Sequence, residues 1–157
     1  MKVANLLSAV VCVDFITIAL SKVFHLGKSL EKWYSQFGIV AVLSDCLVIL
    51  LGILLAQMLF PKAGMVSILL ISIAIQLVHD YLFYIFVIKA VPQGHNKMID
   101  LFKEYANENS WKILVADSLM IGSTVYLAHH LSYLESSYSA FIGLLALYGI
   151  TYIIYTN

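Results

Sequence analysis

The sequence predicts an all-α integral membrane protein, a bundle of about five transmembrane helices with one short interfacial amphipathic helix. Of the 157 residues, 62% are hydrophobic and only 11% are charged, whereas a soluble domain is about half apolar and about a quarter charged. The apolar residues also form long runs, and about 18 of them in a row are enough to cross a bilayer as a helix. We therefore treat 1–157 as a single transmembrane helical domain.

Five apolar runs follow one another along the chain. The clearest separation is the turn at Pro61 and Gly64, because proline and glycine interrupt a helix on either side of Lys62. The separation at Glu135 is shorter, but without it the last two runs would form one helix far longer than a span of about 20 residues requires. The predicted spans are 3–23, 34–60, 63–91, 111–133 and 137–155.

The distribution of lysine predicts the orientation of these spans. With five spans, the segments that follow spans one and three share one side of the membrane, and seven of the nine lysines lie there: Lys22, Lys28, Lys32, Lys89, Lys97, Lys103 and Lys112. Only Lys2 and Lys62 lie on the other side. Because cytoplasmic segments are enriched in lysine, we expect the amino terminus outside and the carboxyl terminus in the cytoplasm. Trp33 and Tyr34, near the end of a run, fit an interfacial aromatic belt.

The longest connection between spans has the pattern of an amphipathic helix. Its apolar residues Met98, Leu101, Phe102 and Tyr105 recur at the helical spacing i, i+3, i+4 and i+7. The opposite face carries Asp100, Lys103, Glu104 and Glu108. Such a segment is too polar to insert, so we expect a helix over 96–107 that lies in the plane of the inner membrane surface.

Four of the five predicted spans each contain one aspartate, and the fifth contains none. These residues are Asp14, Asp45, Asp80 and Asp117. At a rise of about 1.5 Å per residue, all four lie roughly 9 to 16 Å from the lysine-rich boundary, which places them at similar depths. Each costs about 2.5 to 3.5 kcal/mol on insertion scales, on the order of 10 kcal/mol in total. We therefore expect them to point into one shared polar interior.

Neighbouring polar residues extend this predicted interior. Thr17 lies one turn from Asp14, and Gln76 and His79 lie on the same helical stripe as Asp80. Two readings of these residues remain open. The aspartates could hold the helices together through hydrogen bonds, or they could form a transport pathway with His79, which titrates near neutral pH, as a partner. The pathway candidates are Asp14, Asp45, Asp80, Asp117, His79, Gln76 and Thr17.

The function that we predict from these residues is a channel or transporter for protons or small cations. One alternative is a structural subunit of a larger membrane assembly, such as a respiratory or photosynthetic complex or a membrane-containing virion. Another is a membrane-embedded enzyme that handles a metal or a lipid, although no nucleophile elbow, phosphate loop or zinc-protease motif is present. We predict no cofactor, although the carboxylates could bind a cation. The expected partners are the lipid bilayer and either further copies or a membrane complex, not nucleic acid.

Overall fold

The computed structural model describes residues 1–156, and Asn157 lies outside the described residues. The prediction of an all-α protein is confirmed, since 82% of the chain is helical and the described residues contain no strand. The helices are α1 (Val3–Phe24), α2 (Lys28–Phe37), α3 (Ile39–Leu59), α4 (Met65–Phe83), α5 (Lys97–Asn109), α6 (Lys112–Leu131) and α7 (Ser136–Ile153). A π-helical turn, Tyr84–Ile88, continues α4.

Several helices are long and apolar enough to span a membrane. Four satisfy both requirements by themselves: α1, α3, α7, and α4 together with its π-helical continuation. The helix α6 satisfies them only when it is taken together with α5, from which it is bent by 102°. Asp117 near the start of α6, and His129 and His130 in its last turn, make this helix less apolar than the other four. The number of helices that qualify is thus four, or five with the bent pair.

The four helices α1, α3, α4 and α6 form a ring around a common interior. Each packs on the next, and α6 closes the ring by packing on α1. Fully buried apolar side chains from α1, α3 and α6 fill this interior, and α4 adds Ile68, which is 4% exposed. These side chains include Leu6, Val10, Ile18, Val42, Ile53, Ile121 and Val125.

The helix α7 lies outside the ring, runs parallel to α1 and packs mainly on it. Small residues bring the two helices together, as is common between membrane helices. A Cβ atom built on Gly143 would lie 2.9 Å from the Cα atom of Ser8, and one built on Gly149 would lie 2.8 Å from the ring of Phe15. From the first contact pair to the second, the residue numbers increase along both helices, so α1 and α7 run in the same direction.

Two short helices, α2 and α5, pack on each other and cover one end of the ring; we call them the cap. The prediction of a continuous span over 34–60 is wrong at its start. Tyr34 belongs to α2, and Gly38 separates α2 from α3 with a φ of +51°, a left-handed conformation that glycine adopts without steric cost. The sequence did not predict this break, because the aromatic residues of α2 directly adjoin the apolar run that forms α3.

The predicted amphipathic helix over 96–107 is present as α5. Asn96 begins it, because its side chain accepts hydrogen bonds from the backbone N–H groups of Met98 and Ile99. Its apolar face, however, packs against protein. Leu101 is buried, and the ring of Phe102 lies 4.9 Å from that of Trp33, centroid to centroid. The apolar stripe thus seals the cap against the bundle.

The close approach of α1 and α7 predicts that Gly143→Ala destabilises the protein. The new methyl group would meet the backbone of Ser8, which cannot rotate away, so α7 must shift at a cost of roughly 1 to 3 kcal/mol. Gly122→Ala is the matched control, because its nearest side-chain atom is 4.0 Å away, in Leu69. Thermal unfolding of the purified protein in one detergent should show a lower midpoint for Gly143→Ala alone. Equal midpoints for the two variants would contradict this packing.

Candidate functional site

The four aspartates all lie in the half of the ring that is nearer to the cap, one on each ring helix. Asp14 is fully buried, and Asp45, Asp80 and Asp117 are half-buried. Asp14 is close enough to Asp45 for their charges to interact. Asp117 is close enough to interact with both Asp45 and Asp80. The helix α7 lies outside the ring, which accounts for its lack of an aspartate.

Asp14 is the most isolated of the four carboxylates. Its side chain is 0% exposed, and neither carboxylate oxygen has a hydrogen-bond partner. Its neighbours are Cys46 and Asp45 of α3 and Tyr34 of α2. A buried carboxylate in this position is costly unless a proton, a cation or water neutralises or solvates it.

Asp45 is held by two aromatic residues of the cap. The indole Nε1–H of Trp33 donates to both carboxylate oxygens, at 3.0 and 3.2 Å, and the hydroxyl of Tyr34 donates to one of them at 3.0 Å. Trp33 is only 6% exposed and Tyr34 only 2%, so the prediction that they belong to an interfacial belt is wrong. Burial, followed by the charges of Asp45 and Asp14, raises the pKa of Tyr34, which keeps its hydroxyl protonated.

Asp80 lies at the edge of the group and is paired with both of its predicted neighbours. The side-chain amide of Gln76 donates to Oδ1 of Asp80 at 2.7 Å, and Nδ1 of His79 lies 3.1 Å from the same oxygen. The second oxygen of Asp80 is buried without a partner. The imidazole of His79 stacks on Phe83 and is 47% exposed, so it is the most accessible member of the group.

Asp117 lies between Asp80 and Asp45, and the cap residue Tyr105 lies beside it. Burial, and then the charges of Asp117 and Asp45, raises the pKa of Tyr105. Sequence analysis missed Trp33, Tyr34, Tyr105 and Cys46 as neighbours of the carboxylates. No local pattern indicates Trp33, Tyr34 and Tyr105, because they approach from other helices, and Cys46, which follows Asp45, meets Asp14 only across the interface of α1 and α3.

Thr17 is the pathway candidate whose side chain is satisfied within its own helix and not by this group of side chains. Its hydroxyl donates to the backbone carbonyl of Val13 at 2.9 Å, within its own helix. Ser21 does the same with the carbonyl of Ile18 at 2.8 Å. Such bonds satisfy a hydroxyl locally in an apolar setting. Of the polar residues Asp14, Thr17 and Ser21 of α1, only Asp14 is therefore left to interact with the other carboxylates.

The half of the ring away from the cap is mostly apolar. Leu6, Ile53, Ile68 and Val125 are buried there, and the exceptions include Asn5, Gln57 and Thr124, each with a buried side-chain atom that has no hydrogen-bond partner. Beyond this layer, a cavity of about 410 Å³ opens at the end opposite the cap. Its lining includes Met1, Gln57, Phe60, Met65, Ile68 and His129.

No positive side chain compensates the buried carboxylates. All nine lysines fall in the part of the chain that the structure describes, and none of them is buried. Within the same residues, no three His, Cys, Asp or Glu side chains converge in a geometry that could hold a metal ion.

Comparison of the chain with protein-family models, with curated proteins and with solved structures finds no match.

The cap itself is held together by polar contacts between α2 and α5. The carboxylate of Glu108 accepts from the backbone N–H groups of Lys28 and Ser29, at 2.9 and 2.8 Å, at the start of α2. Lys32 forms an ion pair with Glu104 at 2.5 Å. The side chain and backbone of Ser29, and then the backbone of Lys28, lower the pKa of Glu108, because hydrogen bonds to the charged form favour it.

We expect Glu108→Gln to loosen the cap at neutral pH and not at low pH. A lowered pKa in the folded state means that Glu108 stabilises the fold above its ordinary value of 4.5, and that this effect disappears as the pH falls through the lowered value. The contribution is below about 1 kcal/mol, because Glu108 is exposed. Amide hydrogen exchange of residues 28–37 at pH 7 and pH 3, corrected for intrinsic rates, measures it. Glu135→Gln, at the opposite end, is the control, and an equal effect at both pH values would contradict the prediction.

Proposed function

We propose that this protein moves protons or small cations across a membrane, using the aspartates of the ring. The observation that carries the proposal is Asp14, a fully buried carboxylate with two unpartnered oxygens and no lysine to neutralise it. Ionisable groups inside membrane spans are expensive and usually mark ion pathways or proton relays. A protein that needed only helix contacts could have used asparagine or serine at lower cost.

The order of the side chains supports a relay that begins near the cap. His79 is exposed and contacts Asp80, which interacts with Asp117, then with Asp45 and finally with Asp14. In this relay the exposed His79 is the group that exchanges protons with the aqueous phase. The carboxylates share the protons or a cation among them, so they titrate as a group.

The apolar half of the ring serves as the barrier to leak in this proposal. Hydrophobic constrictions close an ion path by excluding water. Ile53, Ile68 and Val125 form such a layer between the carboxylates and the cavity at the opposite end. Thr124 and Asn5, each with a buried oxygen that has no partner, offer polar steps within that half of the ring. Transport then requires that water enters this layer transiently.

Five spans with an external amino terminus complete the proposal. The parallel arrangement of α1 and α7 requires an odd number of crossings, which α3, α4 and α6 supply between them. The lysine-rich segments, including the cap, then lie in the cytoplasm. In this orientation His79 is exposed on the cytoplasmic side, and the cavity that Gln57 lines opens on the outer side.

A structural subunit of a larger membrane assembly is the second candidate. The observation that favours it is α7, which packs mainly on α1 and exposes a broad aromatic face. Phe141, Tyr148 and Tyr152 are each more than 60% exposed. The hydroxyls of Tyr148 and Tyr152 bond to each other, 3.0 Å apart, on this lipid-facing surface. A neighbouring membrane helix would cover such a face.

The topology predicts that position 97 is accessible only from the cytoplasm. In a background with Cys12 and Cys46 replaced by alanine, Lys97→Cys should react with a membrane-impermeant maleimide in inside-out vesicles and not in intact cells. Lys62→Cys, at the opposite end, should show the reverse pattern. Labelling of residue 97 from outside intact cells would refute the orientation.

The relay predicts that Asp80→Asn and Asp117→Asn abolish flux while the protein stays folded. Asparagine keeps the size and hydrogen bonding of aspartate but cannot ionise, and a positioned titratable group typically speeds a proton transfer by about 10² or more. Purified protein in liposomes with an internal pH dye measures the flux. Asp100→Asn, outside the ring, is the matched control and should conduct normally.

Two results of this assay would decide between the candidates. Loss of flux in both ring variants, with unfolding midpoints near that of the wild type, supports transport. A wild-type protein that conducts nothing over a range of pH, ions and voltage, together with destabilised ring variants, would replace the transport proposal with the structural subunit.

A further inference from the structure

The contact between Asp45 and α2 is the one polar link described above that joins the cap to a carboxylate of the ring. Glu108 and the ion pair of Lys32 with Glu104 join α2 to α5, within the cap. Trp33 and Tyr34 instead reach from α2 to Asp45 on α3. The cap also contacts the chain that follows α4, through the ammonium of Lys103, which donates to the backbone carbonyl of Val91, and through the rings of Phe102 and Phe83 at 6.0 Å. Asp45 is therefore the ring carboxylate that helps to hold this two-helix unit in place.

We infer that Asp45 is the residue that couples the charge of the aspartates to the position of the cap, holding the cap closed when ionised and releasing it when protonated. The link to transport rests on the proposed function, whereas the latch itself does not. In transport, a proton that reaches Asp45 would open the end of the ring that faces the cap. The latch would close again when Asp45 loses that proton.

The chemistry of the contact supports this role. The indole N–H of Trp33 can only donate, and both oxygens of an ionised Asp45 can only accept. A protonated Asp45 has a hydroxyl on one oxygen, which accepts only weakly, so the indole N–H of Trp33 that both oxygens share keeps one good acceptor. The contacts lose their charge assistance, and neutral hydrogen bonds are about half as strong as charged ones. Protonation thus weakens the latch without any change of shape in the ring.

The charge on Asp45 depends on the titratable groups that face it. Asp14 faces it from α1, Tyr34 from α2, Tyr105 from α5 and Asp117 from α6, and Cys46 follows it on α3. Two of these groups are carboxylates, and like charges at short range cannot all ionise. The charge on Asp45 is therefore one contribution to a group of interacting carboxylates, which titrate together.

The connections of the cap allow it to move as a unit. Residues with positive φ lie where it joins the bundle: His25 before α2, at +48°, Gly38 after α2, at +51°, and Ser110 after α5, at +46°. Each marks a sharp change of chain direction between rigid helices, and hinge motions are absorbed at such element-terminal positions. The α2–α5 contacts need not break when the cap moves.

Amide hydrogen exchange of the full-length protein in lipid nanodiscs tests the latch directly. We expect residues 28–37 to exchange about fivefold faster, or more, in Asp45→Asn, because a lost charged hydrogen bond costs at least about 1 kcal/mol. Trp33→Phe keeps an aromatic ring but removes the donor, and it should accelerate the same segment. Asp117→Asn keeps the latch and removes a neighbouring charge, so its exchange should be unchanged or slower. Exchange in α7 should stay at the wild-type rate in all three, which excludes global unfolding.

Wild-type exchange rates over residues 28–37 in both Asp45→Asn and Trp33→Phe would overturn the inference, as would equal acceleration in Asp117→Asn. This result is independent of the flux assay. Normal flux with an unchanged cap would refute the latch alone. An accelerated cap without any wild-type flux would refute the transport proposal alone and leave the latch in place.

Discussion

The hydrogen bonds from Trp33 and Tyr34 to Asp45 determine how the rest of the molecule is arranged at its capped end. They hold α2 folded back against α3, from which it is separated by the turn at Gly38. Once α2 is in place, its free N-terminal N–H groups are available to Glu108, and this brings α5 across the end of the ring. A charged group in the interior thus organises the surface helices around it.

The cost of buried carboxylates explains the division of the ring into two halves. One polar side chain in lipid can be satisfied within its own helix, as the hydroxyl of Thr17 is. A carboxylate cannot, because it needs donors, protons or a cation from elsewhere. Four helices that each contribute one carboxylate share these partners only when they converge. The opposite half then packs as an ordinary apolar core around residues such as Ile53 and Val125.

The position of α7 follows from a different force. No apolar burial drives helices together in lipid, so close packing between small residues takes its place. Gly143 and Gly149 let α7 approach α1 along most of its length, away from the carboxylates. This leaves α7 free of any role in the acidic interior and exposes its aromatic side to lipid or to a neighbour. The exposed aromatic side of α7 is therefore the feature that favours a structural subunit.

The sequence by itself determined which segments are helical and apolar, and it identified the aspartates, because hydropathy and helical period are properties of neighbouring residues. It also paired Asp80 with Gln76 and His79, which are one turn or less apart. The end of α2 at Gly38, the burial of Trp33 and Tyr34 and the order of helices in the ring were decided by the tertiary structure alone. These features depend on contacts between residues of different helices that lie far apart in the chain, about 80 residues in the case of Glu108 and Lys28 and more for α1 and α6. No periodic pattern within one segment records which partner lies across an interface.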